Sequence, residues 1–300
     1  MVDRAMPTGA TPVSALPVRL APPLFVVIWA TGFVVARLVA PHAEPLTFLL
    51  IRYALALAAL GLLALAAGAP WPRSGKAWRD GLVAGVLLHG FYLGGVFWSV
   101  RHGLPAGIAA LLAGLQPLLA GALVGPLLGE PVSGRRWLGL GLGALGALLV
   151  IGPRLTGVEA LPPAALLVCL GAVISITLGT IWQKRTAGAA DLRTNTFVQY
   201  LGAAAVTLPL MLLTERGWVD PAPAFWAGLL WASFVLSVGA VGLLMWLIRR
   251  GAVAGVSALL YLVPPVSAAM AYVLFGETLT PIQAAGMVVA AVGVGLAARG

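Results

Sequence analysis

Ten apolar runs, each about as long as a bilayer core is thick, leave this chain few ways to fold. A hydrocarbon core of ~30 Å needs ~20 apolar residues at a helical rise of 1.5 Å per residue. Runs of that kind lie at roughly 22–40, 45–67, 80–100, 105–127, 134–152, 162–184, 194–214, 223–248, 252–275 and 280–298. The gaps between them are short and turn-like, as at Pro41-His42, Gly68-Ala69-Pro70 and Gly152-Pro153, and none has room for a soluble domain. In lipid every backbone polar group must find its partner inside the protein, so only helices and closed barrels span a membrane. The runs are continuous rather than alternating, and too long for barrel strands. The expected fold is therefore an all-α integral membrane protein with ten transmembrane helices. A chain that is 61% hydrophobic and 9% charged agrees, since soluble domains carry about a quarter of their residues as charges.

The formal charge of +9 would point to nucleic acid in a soluble domain, but the 18 Lys and Arg fall mostly between the apolar runs. There they serve as topology signals. With the N-terminus inside, thirteen lie on the cytoplasmic side against four outside (Arg37, Arg101, Arg154 and Arg216), which places both termini in the cytoplasm of a multi-pass bacterial inner-membrane protein. The expected partners are the lipid bilayer and a small-molecule substrate, with no nucleic acid; monomer and homodimer both stay open. Residues 1–20 lack the apolar stretch of a signal peptide and are expected to form a mobile cytoplasmic tail. The single cysteine, Cys169, sits in an apolar run and builds neither a disulfide framework nor a metal motif.

The second constraint is duplication. Residues Gly103 to Glu130 read GLPAGIAALLAGLQPLLAGALVGPLLGE, and Gly251 to Glu277 read GAVAGVSALLYLVPPVSAAMAYVLFGE. At a shift of 148 the pairs Gly107/Gly255, Leu111/Leu259 and Pro117/Pro265 are identical, and the register extends to Trp98/Trp246. In the second span Tyr53 matches Tyr200 at a shift of 147, with Arg52 opposite Gln199. Each half holds five spans, an odd number, so the second half enters the membrane with opposite polarity. The expected organisation is two inverted five-helix repeats, 21–152 and 162–300, joined by a periplasmic linker at 153–161. Inverted repeats recur in secondary transporters, with a site near the midplane between halves.

The WATGFVVARLV pattern of the first span, Pro45 with Arg52 in the second, the AG-to-GE unit in the fourth and ninth, and Gly-rich fifth and tenth spans resemble the EamA family of the drug/metabolite transporter superfamily. Chain length and topology are similar to its YddG-type aromatic amino-acid exporters. The resemblance implies a secondary exporter of small metabolites, amino acids with aromatic or apolar side chains first among them. It implies alternating access around a central cavity, with hairpins 3/4 and 8/9 moving against the rest. Lipid-carrier and nucleotide-sugar translocation belong to the same superfamily and are the alternatives. A membrane-embedded enzyme would need a convergent acid, base or metal set such as paired Asp or HExxH; no span centre carries an Asp, so no catalytic residue, metal site or cofactor is expected.

Within this frame a short set of residues can carry chemistry. His89 lies deep in the third span, where it either ties two helices together as a neutral imidazole or faces the cavity beside Tyr92. At ~100° per residue Trp98 falls on the opposite side of the same helix, so it is a separate candidate contact. Gln116 beside Pro117 is the favoured donor and acceptor of the fourth span, replaced by Pro264 in the second copy, where Ala113 becomes Tyr261. Ser257, Trp29, Ser237 and Thr177 complete the candidate substrate contacts. Pro117, Pro264 and Pro265 are expected to bend the fourth and ninth helices, since each removes a backbone hydrogen bond. Arg52, seven residues into its span, either snorkels or pairs with Glu277 or a substrate carboxylate. Glu130 and Glu277 end their helices at opposite faces, and act either as hairpin locks, turned toward a helix N-terminus or a nearby Arg, or as gates. The letters GxGxxG at 141–146 lie inside an apolar run with no strand before them, so they are read as close helix packing and not as a dinucleotide fingerprint.

Overall fold

The computed structural model describes residues 15–116, 118–120, 123, 133–154, 160–186, 190–240, 243 and 262–298. Among them are ten helices: α1 Ala15–Val39, α2 Pro45–Ala66, α3 Gly75–Arg101, α4 Ala106–Gly114, α5 Gly134–Ile151, α6 Pro163–Thr186, α7 Leu192–Thr214, α8 Pro223–Gly239, α9 Val263–Phe275 and α10 Pro281–Ala298. Each falls on one of the ten apolar runs. No strand occurs among the described residues, which contain only one isolated backbone bridge, Ala43 to Val219. The first helix starts at Ala15, inside the segment expected as a tail. Pro117, Glu130, Ser257 and Tyr261 lie outside the described residues.

Local chemistry explains where the helices begin and end. Pro45 opens α2 at a position whose N–H needs no partner, and the side chains of Ser74 and Asp191 cap α3 and α7. Thr280 and Gln283 form a reciprocal capping box at the start of α10, each side chain accepting from the other's backbone N–H. Gly276 closes α9 at φ 68°, a left-handed geometry that suits glycine. Pro264 and Pro265 stand in the first turn of the described part of α9, where a missing N–H breaks no bond. The chain before them, where a bend would show, lies outside the described residues; Pro264 itself packs against Gly114 of α4, where an added Cβ would lie 2.5 Å from its ring.

Helices at corresponding places in the two halves pack on each other, and they do so antiparallel. At one end of the α2/α7 pair, Glu215 accepts hydrogen bonds from Leu46 N, Thr47 N and Thr47 Oγ1, all at 2.8 Å. At the other end Thr194 Oγ1 donates to Pro70 O at 2.8 Å. Along α5 and α10, Gly293 meets the backbone of Gly139 and Gly143, Gly146 meets Gly286 and Ala290, and Gln283 Nε2 donates to Val150 O at 3.1 Å. Close approach at these glycines is the means by which helices associate in lipid, where apolar burial supplies no drive. The GxGxxG letters thus belong to a helix contact.

The outer girdle is strongly apolar. Leu213 is 82% exposed and Val273 77%, and leucines such as Leu62, Leu65 and Leu167 are similarly bare. A surface of this kind is stable against acyl chains and not against water.

The α5/α10 contact yields a direct test. Gly146→Leu should lower the thermal unfolding temperature in detergent micelles, since overpacking of this kind costs ~1–3 kcal/mol. Gly141→Leu, on the open side of the same helix with nothing near its Cβ position, should leave that temperature within a degree or two of the parent.

Candidate functional site

Four helices meet around Arg52. The second brings Arg52 and Tyr53, the third His89, the seventh Gln199 and Tyr200, and the eighth Ser237. Arg52 is 5% exposed, so it does not snorkel to the membrane surface. Its Nε and Nη2 each lie 3.3 Å from Ser237 Oγ. Tyr200 OH donates to the same oxygen at 2.8 Å, and Ser237 in turn donates to Ala232 O at 2.9 Å. His89 Nε2 lies 3.3 Å from Gln199 Oε1; a carbonyl oxygen only accepts, so Nε2 carries the proton. The imidazole stacks on Tyr200 at 4.6 Å between centroids, and Tyr53 packs on Tyr200 at 5.5 Å.

Both halves reach this cluster with a change in helical winding. Val86–Phe91 in α3 and Trp231–Gly239 in α8 are π-helical. The wider turn leaves backbone carbonyls open to side chains, and these are taken: Tyr53 OH donates to His89 O at 2.8 Å and Ser175 Oγ to Leu87 O at 2.9 Å. Glycines let α3 and α7 cross at backbone contact beside it. A Cβ at Gly85 would strike the Gln199 carbonyl, and one at Gly202 the Leu82 carbonyl.

The contacts pair up in the register of the duplication. At a shift of 147 Arg52 corresponds to Gln199 and Tyr53 to Tyr200; at 148 His89 corresponds to Ser237. Arg52 to Ser237 therefore mirrors Gln199 to His89, and Tyr200 to Ser237 mirrors Tyr53 to the His89 carbonyl. The chemistry is not mirrored: one side holds a permanent cation on a hydroxyl, the other an amide on an imidazole.

The carboxylates sit elsewhere. Each of the six described ones is engaged at a helix end or turn. Glu277 accepts from Ala106 N and Gly107 N at 3.1 and 3.2 Å and meets Arg37 at 3.7 Å. It caps α4 across the molecule, while α10, the next helix in the chain, has its own cap. Glu44 accepts from Arg216 N and Trp218 N, Glu215 caps α2, and Asp220 meets His42 at 2.8 Å. These four tie one face together. On the opposite face Asp80 holds Arg79 and Lys76, and Asp191 holds Arg193. The hydrogen bond from Arg193 keeps the Asp191 carboxyl below its usual range. The pairing of Arg52 with Glu277 that the sequence allows is not formed.

A cavity of about 330 Å³ opens on that opposite face. Trp71, Arg73, Asp80, Asp191 and Asn195 line it, and Gln199 stands at its inner end. Gln199 is 3% exposed and its Nε2 has no hydrogen-bond partner. Of the residues singled out in the sequence, His89 meets this cavity through Gln199, and Arg52 and Ser237 join the same network. Trp98 stands nine residues further along α3, stacked on His102 at 3.8 Å. Gln116 Nε2 donates to Thr180 Oγ1 at 3.1 Å, and Thr177 Oγ1 to its own helix at Val173 O. Trp29 packs on Phe25, and Tyr92 is partly buried against the core. Sequence reasoning passed over Tyr53, Tyr200 and Gln199 as site residues, although the shift of 147 brings all three beside Arg52.

The profile of the EamA-like transporter family matches the chain twice, over residues 23–152 and 163–299. Among curated proteins, a probable amino-acid metabolite efflux pump of Salmonella typhimurium is 26% identical over 88% of this chain and 89% of its own length. An uncharacterized transporter of Bacillus subtilis is 25% identical over 87% of this chain and 85% of its own length. Protein PecM of Dickeya dadantii is 32% identical over 63% of this chain, and the match spans 61% of PecM. A solved crystal structure superposes with a TM-score of 0.62 over 95% of this chain and 98% of its own, at 21% identity, which establishes the shared fold.

Ser237→Ala would leave the Arg52 guanidinium and the Tyr200 hydroxyl without their common acceptor. Stranding buried donors costs ~1–3 kcal/mol each, so Ser237→Ala should unfold at a clearly lower temperature in micelles than Ser237→Thr, which keeps the oxygen. Equal stability of the two variants would show that the hydroxyl does not hold Arg52.

Proposed function

The chain belongs to the EamA-like transporter family, and we propose that it is a secondary exporter of amino acids with aromatic or apolar side chains, working by alternating access. The observation that carries this reading is the cluster at Arg52, which joins both halves at mid-depth in corresponding register. Antiparallel contacts within the pairs α2/α7 and α5/α10, and from Glu277 to the start of α4, support two inverted repeats, 21–152 and 162–300 about a linker at 153–161. A two-fold relation of that kind makes inward and outward forms near mirror images of each other. The excess of Lys and Arg supports cytoplasmic termini in a bacterial inner membrane, which puts the 42–44, 215–220 and 276–277 turns outside.

On this orientation the form described is tied at the outer face and opens inward at the 330 Å³ cavity. Glu277, with Arg37, and Glu215 act as outer latches, because each carboxylate holds a helix start across the molecule. Glu130 at the opposite end of the duplicated unit is the corresponding inner gate. His89 and Tyr92 on α3, Ser237 on α8 and Gln116 at the end of α4 are the proposed substrate contacts, with Trp29, Trp98 and Thr177 beside them; Ser257 and Tyr261 stay candidates from the sequence. Arg73 is the one basic residue among the described residues that line the cavity, beside Asp80 and Asp191, which suits a zwitterion better than a phosphorylated sugar. The relative named as a probable amino-acid metabolite efflux pump is in keeping with that class.

Purified protein in proteoliposomes should show saturable counterflow of one or more labelled aromatic or branched-chain amino acids, tested with and without a pH gradient. Absence of counterflow for every amino acid in the panel would sink the substrate class. His89→Ala should lower the rate about tenfold or more at unchanged folded yield, and unaltered kinetics would remove His89 from the path.

A further inference from the structure

We propose that the inward cavity ends in a carboxylate seat, in which the free amide N–H groups of Gln199 bind the substrate's carboxylate in the unneutralised field of Arg52. The inference rests on the transporter reading above and names the part of the substrate that this site recognises.

Charge balance comes first. Arg52 is always protonated and is buried inside the helix bundle, where a lone cation is costly. Its described acceptor is a neutral hydroxyl, 3.3 Å from two of its nitrogens. All six described carboxylates are committed at the two membrane faces, to Arg37, His42, Arg79, Lys76, Arg193 or to backbone N–H groups. None of them pairs with Arg52. An anion entering the cavity is drawn inward by this charge, which a low-dielectric interior screens less than water does.

Geometry supplies the seat. Gln199 is buried, yet it lines the cavity, and its backbone is pinned by the contact with Gly85. Oε1 is held by His89, which fixes the amide and leaves Nε2 without a partner. An unmatched buried donor is a liability unless an acceptor arrives with the ligand; Ser99 Oγ and Ser233 Oγ are also buried without a partner among the described residues, but neither lines the cavity. A carboxylate supplies that acceptor and brings a negative charge toward Arg52, which is linked to Tyr200, the neighbour of Gln199, through Ser237; an ammonium does neither. The cavity volume lies within the ~300–1,000 Å³ common for small-molecule sites. Trp71, stacked on Trp78 at 6.5 Å and set edge-on to Phe197 at 5.2 Å, gives the cavity a firmly held aromatic face for the rest of the molecule.

The test uses the full chain in nanodiscs and three probes that share one ring: 3-phenylpropionate, which has only the carboxylate, phenethylamine, which has only the ammonium, and phenylalanine. Ligand-induced thermal stabilisation should occur with phenylpropionate and phenylalanine and not with phenethylamine. Gln199→Leu and Arg52→Gln should each weaken phenylpropionate binding by about tenfold or more, with Arg52→Lys retaining part of it. Wild-type protein that is stabilised equally by phenethylamine, or by neither carboxylate, overturns the seat without appeal to any variant. Carboxylate binding in a protein that moves no amino acid in proteoliposomes would keep the seat and discard the amino-acid reading. Amino-acid counterflow inhibited equally by phenethylamine and phenylpropionate would do the reverse.

Discussion

One buried cation sets the terms for the middle of this protein. Arg52 lies in the apolar interior with a serine hydroxyl as its described partner, and that hydroxyl is shared with Tyr200 and anchored to Ala232 O. A guanidinium in such a place must be held by several elements at once, because loss of any partner leaves a charge in low dielectric. The surrounding features answer that need. The π-helical turn of α8 lets Ser237 reach back to Ala232, the one in α3 opens the His89 carbonyl to Tyr53, and Gly85 and Gly202 bring α3 and α7 to backbone contact. The result is a polar layer one residue thick inside an otherwise apolar bundle.

Acidic groups are handled in the opposite way. The described carboxylates stand at the two faces, and three of them, Glu44, Glu215 and Glu277, accept backbone N–H groups from the other half of the chain. Glu215 and Glu277 sit on the starts of α2 and α4, where a carboxylate gains from the dipole and satisfies orphan donors, while Glu44 accepts from the loop that follows α7. Each is also exposed to water when released. Under the proposed alternating access, groups of this kind at the rim are the ones suited to separate, with the buried Arg52 cluster between the two faces. Division of the charges in this manner gives the fold a firm middle and a separable face.

How much of this was legible beforehand follows from the range of each effect. Span number and position depend on local hydropathy, and all ten described helices fall on the runs expected. The glycines of α5 and α10 were readable as packing because their spacing is a one-helix property. The angular argument about α3 was not safe. It assumed ~100° per residue, and the π-helical turn at Val86–Phe91 changes the winding at His89 itself. Arg52 was expected to snorkel, to meet Glu277 or to attract a substrate carboxylate; its described acceptor, Ser237, lies 185 residues away and is visible only through tertiary contact. Gln199, Tyr53 and Tyr200 were within reach, since the duplication aligns them with Arg52, but an isolated Tyr or Gln in a span carries no signal of its own. Pro264 and Pro265 were weighed as mid-helix breaks, whereas the described α9 begins beside them and uses Pro264 to pack against Gly114.

The central claim of the proposed mechanism is that the hairpins α3/α4 and α8/α9 move against the rest, so that one face closes as the other opens. Electron–electron distance measurements in nanodiscs test it most directly, on protein whose single Cys169 is replaced by Ala. One pair of spin labels goes on Lys76 and Ala190 at the cavity face, and another on Arg101 and Thr214 at the tied face. Addition of an amino acid that supports counterflow should shorten one distance distribution while it lengthens the other. Distributions that stay fixed, or that shift in the same sense at both faces, would contradict the account.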